Sequence, residues 1–156
     1  LMDNQSVRNT IENFQHKERV SGNKFYWFFD DQRIDAPNSL IELSESPTTG
    51  KLTWDMYGWT GTPEEADISL YSVAIAYIDE NPIDAVYTTR ESNLDCSHMY
   101  STGDGEATFI DAEDATLTLK LDPVSGIAIG NFDATFIKNG STLRPKVKFH
   151  LKRIVP

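Results

Sequence analysis

Leu117, Leu119 and Leu121 alternate with Thr116, Thr118 and Lys120. A strict period of two commits this segment to a strand with one buried face, because successive side chains of an extended chain point to opposite sides. Asp122-Pro123-Val124-Ser125-Gly126 then supplies turn residues, and an apolar-rich stretch follows over 127–138. Asn139-Gly140 is a hairpin signal, since both residues tolerate positive φ. The segment 143–154 again alternates, with Val147, Phe149 and Leu151 on one side and Lys146, Lys148, His150 and Lys152 on the other. The spacing predicts a three-stranded antiparallel meander over 115–154.

The same period runs upstream. Residues 24–30 read as an aromatic strand: Phe25, Trp27 and Phe29 share one face, and Tyr26 and Phe28 share the other. Apolar residues on both faces predict a central strand covered on both sides. Further strands are expected over 39–44, 51–57, 68–79 and 84–90, with a turn at Pro47-Thr48-Thr49-Gly50. The stretch 91–105 carries no periodic signal and is expected to be a long loop. Near the start, Val7, Ile11 and Phe14 fall at helical spacing between a capping Ser6 and Gly22, which predicts one helix over 6–20. The expected fold is therefore mainly β, an antiparallel sandwich or flattened barrel of about nine strands with one N-terminal α-helix. A chain of 156 residues suits a single domain, with 1–22 as helix and lead-in and 23–154 as the β domain.

Composition narrows the function classes. With 39% hydrophobic residues the chain is too apolar for disorder, and no run approaches the roughly 18 apolar residues of a membrane-spanning helix. Its lone cysteine, Cys96, forms no internal disulfide. Compartment stays open: Met2 as the native start implies the cytoplasm, whereas a trimmed leader implies a secreted or periplasmic protein.

Charge is segregated along the chain. The total is −10, yet residues 30–114 hold 19 acids against Arg33, Lys51 and Arg90. Residues 134–156 hold no acid and six bases. The net charge opposes nucleic-acid binding, and the acidic stretch has two readings: a solvated, solubilising surface, or a docking surface for a basic protein partner drawn in by its field. The basic set Lys146, Lys148, His150 and Lys152 has three readings: contact with acidic neighbours, protection of a sheet edge, or a patch for an anionic surface. As an exposed final strand, it would also allow edge-to-edge pairing with another copy.

Catalytic signals are weak. Cys96 and His98 lie two apart and would point the same way on an extended chain, which makes a thiolate–imidazole pair conceivable, but no third residue is indicated to orient the base. His16, His98 and His150 lack metal-ligand spacing, and nucleotide fingerprints are missing. Asp104, Glu106, Asp111, Glu113 and Asp114 crowd oxygens together without matching a calcium-binding loop, so no metal or cofactor is expected. Trp54, Tyr57 and Trp59 cluster near a strand end and, if exposed, would offer ring platforms for a carbohydrate; the alternative is that they belong to the core. The expectation leans away from an enzyme. It favours a binding module that meets a protein partner through the acidic residues, resembling immunity or inhibitor proteins only in charge, with carbohydrate binding through Trp54, Tyr57 and Trp59 as the alternative.

Overall fold

The computed structural model describes residues 22–154 apart from Pro47, Pro63 and Asp104, so the helix expected over 6–20 lies outside the described residues. Within them the protein is built of strands, and no helix occurs. In chain order the first six strands are Lys24–Phe29 (β1), Gln32–Asp35 (β2), Asn38–Glu45 (β3), Leu52–Thr60 (β4), Ser69–Ala76 (β5) and Ile83–Thr88 (β6). They are followed by Asp95–Gly103 (β7), Glu106–Asp111 (β8), Asp114–Asp122 (β9), Ile127–Lys138 (β10), Ser141–Leu143 (β11) and Lys146–Lys152 (β12). Among the described residues twelve strands occur, several of them short, where about nine were expected for the chain.

Two antiparallel sheets result. One is seven-stranded, in the order β2-β1-β12-β10-β9-β6 with β11 beside β10. The other has five strands in the order β3-β4-β5-β7-β8. Their inner faces share one core, in which Phe25, Trp27, Leu119 and Phe132 of the first sheet meet Trp54, Met56, Tyr71 and Val73 of the second. This is the layout of a sandwich. An edge-to-face contact of Trp27 on Tyr71, with ring centroids 4.8 Å apart, bridges the sheets.

The meander forms where the leucine alternation places it. In register across β9, β10 and β12, Leu117 faces Phe132 and Phe132 faces Val147, while Leu121 faces Ala128 and Ala128 faces Leu151. Between these rows Leu119, Gly130 and Phe149 line up. A Cβ on Gly130 would come within 2.7 Å of Phe149 Cζ, so the glycine makes room for that ring. Gly58 does the same from the opposite sheet: its Cβ would lie 2.4 Å from Phe25 Cδ1. Phe25 and Phe149 in turn stack at 5.9 Å.

Four expectations need correction. First, β12 is no edge: it is paired to β1 on one side and β10 on the other. Its lysines therefore guard no sheet edge, and its backbone is not open for pairing with another copy. Second, residues 91–105 contain β7. Its inward Cys96 and His98 and its outward Met99 are all buried, which erases the polar–apolar contrast that marks a half-buried strand. Third, β1 is buried on one face only. Phe25 and Trp27 enter the core at 1% exposure, but Tyr26 and Phe28 lie half-buried on the outer face, where no described strand forms a second layer. The final strand is also shorter than expected. Pro145, which has no N–H to donate, separates β11 from β12.

Candidate functional site

The acidic residues singled out in the sequence gather around one side of the five-stranded sheet. Glu106 and Asp111 are exposed at the two ends of β8, the outermost strand of that sheet. Glu113 and Asp114 are exposed at the turn into β9. The Glu113 backbone N–H donates to Thr135 O at 2.8 Å, which anchors the turn, and Ser97 Oγ donates to Asp111 Oδ1 at 3.3 Å. None of the four carboxylates forms an ion pair with a described residue; the ion pair that does occur joins Arg33 to Asp35 at 2.8 Å. Asp104 lies outside the described residues. Among those residues, no three histidine, cysteine or carboxylate side chains come together as a metal ion would require.

Trp54, Tyr57 and Trp59 are not exposed rings. Trp54 points inward at 1% exposure, where the Arg153 guanidinium sits 5.3 Å from the ring centroid. Tyr57 and Trp59 lie on the other face of β4 at 3% exposure each. They stack at 6.0 Å within a second cluster that includes Leu40, Leu70 and Met99. The alternation of β4 thus sends Trp54 one way and the Tyr57–Trp59 pair the other, with both sides covered. This burial agrees with the core reading of the three residues rather than with solvent-facing platforms, since a sugar ring needs an open aromatic face to stack on.

Cys96 and His98 share the inner face of β7 but do not act as a pair. The Cys96 thiol is 3% exposed, and burial pushes its pKa far above the ordinary thiol range. His98 is engaged elsewhere. Its Nδ1 lies 3.0 Å from the Leu70 carbonyl, an acceptor only, so Nδ1 carries the proton and donates. That tautomer leaves Nε2 with a lone pair, which accepts from Lys138 Nζ at 3.4 Å. The Lys138 ammonium also sits 4.0 Å from the Tyr100 ring centroid. Burial lowers the His98 pKa to about 4, so the imidazole is neutral near pH 7.

The basic residues Lys146, Lys148, His150 and Lys152 are exposed on the outer face of the seven-stranded sheet. Lys146 faces Asp133 on β10, whereas Lys148 faces Tyr26 and Asn131, and His150 faces Lys24 and Ile129. The aromatic pair Tyr26 and Phe28, read from the sequence as buried, belongs to this same surface. Only the pairing of β1 with β12 reveals the juxtaposition, because more than a hundred residues separate the two segments.

No protein-family model, curated protein or solved structure matches the chain. Among the described residues no helix is long and apolar enough to cross a membrane.

Proposed function

We propose that the protein is a non-enzymatic binding module that meets a basic protein partner along β8 and the turn into β9. The observation that carries this reading is the set of exposed carboxylates at Glu106, Asp111, Glu113 and Asp114, which no described base neutralises. Uncompensated charge of one sign raises the local concentration of an oppositely charged partner and accelerates its encounter. Position adds to charge, since the outermost strand of a sheet has one side of its backbone outside the ladder. An extended partner segment could add there as a further strand, with its bases against Glu106 and Asp111.

The test compares the wild-type chain with the E106K/D111K/E113K/D114K variant, both immobilised and exposed to lysate and secreted fractions at low and high salt. A specific basic protein held by the wild type, released by salt and lost in the variant supports the proposal. Equal retention by both forms removes it.

A further inference from the structure

The outer face of the seven-stranded sheet is the other surface whose chemistry is distinctive, and it differs from the acidic edge in every respect. Across β1 and β12, Tyr26 lies directly opposite Lys148, and Phe28 directly opposite Lys146. Residues facing one another in this way have Cβ atoms about 5 Å apart. Tyr26 and Phe28 are themselves in edge-to-face contact at 5.8 Å. On the far side of β1, the Arg33 guanidinium stacks 3.8 Å from the Tyr26 ring centroid while bonded to Asp35. Lys148 and Lys152 meet no carboxylate in the ladder: their opposite residues are Tyr26, Asn131 and Ile127. The result is a pair of half-buried rings on the outer face, Tyr26 with the Arg33 guanidinium over it, bordered by the Lys146 and Lys148 ammonium groups and by the carboxylates of Asp35 and Asp133.

The geometry points to this face as a binding surface for single-stranded nucleic acid, with Tyr26 and Phe28 stacking bases and Lys146, Lys148 and Lys152 following the phosphates. Stacking on aromatic side chains combined with a basic track is the physical basis of sequence-tolerant single-strand binding. An acidic peptide would use the lysines but has no flat rings to require Tyr26 and Phe28, so the aromatic–basic combination favours the nucleic acid. The net charge of −10 argues against such binding when it is spread over the whole molecule. The fold changes that weighing. The β8 carboxylates belong to the other sheet, which packs about 10 Å away, and of the acids on this face Asp35 is paired with Arg33 while Asp133 lies opposite Lys146. Exposed charges are largely screened beyond about 8 Å at physiological salt.

The experiment is fluorescence anisotropy of a fluorescein-labelled oligothymidylate and an oligouridylate titrated with the full chain over a range of salt. Binding at low salt is expected, with log affinity falling against log salt at a slope of about 2 to 3, as three or four phosphate contacts to a single strand imply. The K148E/K152E variant changes only exposed side chains and should bind at least about tenfold more weakly, with a shallower slope. Tyr26→Ala should cost about tenfold while leaving the slope unchanged. Circular dichroism checks that variant's fold, and Phe28→Ala, with the same expected loss, replaces it if it unfolds. The proposal is overturned if neither oligonucleotide raises the anisotropy, or if K148E/K152E binds as the wild type does. A labelled Glu-rich peptide that binds while the oligonucleotides do not would also overturn it and assign the face to an acidic protein.

Discussion

The imidazole of His98 lies almost parallel to the phenol of Tyr71, with ring centroids 4.3 Å apart and planes at 10°. Tyr100 stacks on His98 as well, at 5.2 Å, and Phe136 closes in at 5.7 Å. A neutral imidazole suits this stack of rings, and Lys138 reinforces neutrality because its ammonium faces Nε2.

Stability should therefore depend on pH through His98. The folded-state value of about 4 lies below the ordinary 6.5, so between them the unfolded chain binds a proton that the folded protein does not. Stability from this group is complete above about pH 6.5 and falls as pH drops towards 4, by on the order of 3 kcal/mol. Denaturant melts of the wild type and His98→Gln across this window measure the difference. The two curves should converge as pH falls, and parallel curves would disprove the role.

Close approach of the sheets at Gly58 sets a second expectation. A methyl group there meets Phe25 Cδ1 at 2.4 Å, within a core that also holds Trp27 and Phe149. Gly58→Ala should cost about 1–3 kcal/mol, the usual range for overpacking. Trimming the obstructing ring should return part of that loss, so G58A combined with Phe25→Leu is less destabilised than the sum of the single changes. Strict additivity in the double-mutant cycle would count against the clash.

Cys96 is the chain's single thiol and is buried between core side chains. Labelling with a chromogenic disulfide reagent at neutral pH should be negligible in the native protein and reach one equivalent in denaturant. Fast native labelling would show that the thiol is reachable and would reopen nucleophilic chemistry at this position.

How far the sequence reveals the fold depends on the contrast between the faces of each strand. The leucines of β9 and the Val147–Phe149–Leu151 set of β12 stand opposite polar residues, so the meander is legible and its register follows. In β7 the contrast is lost, because His98 counts as polar yet is 1% exposed, and Met99 fills the second cluster on the other side. The strand β2 is short and mostly exposed, with little apolar content to detect. For the sites, individual residue types were legible but their neighbourhoods were not. Trp54 and Trp59 are buried on opposite faces of one strand, and the Tyr26–Lys148 pairing arises only from long-range strand order.

Asp55 provides the last expectation. It is 8% exposed on β4, opposite Glu42 of β3, and accepts a hydrogen bond from Thr53 Oγ1 at 3.1 Å. Loss of solvent is the main influence on its carboxyl, whose pKa is raised above the usual value despite that bond. A raised folded-state pKa means that the group stabilises the fold below its unfolded value, and that this contribution is lost as pH rises through the folded one. At pH 7 the buried charge is thus a cost. Asp55→Asn removes the charge and keeps an oxygen for the Thr53 hydroxyl to donate to. The variant should be more stable than the wild type at neutral pH, with the gap closing at about pH 3 where both side chains are neutral. Denaturation midpoints of the two proteins at both pH values check this. A variant that is less stable at neutral pH would mean that the ionised carboxylate holds the outer face of β4 together rather than straining it.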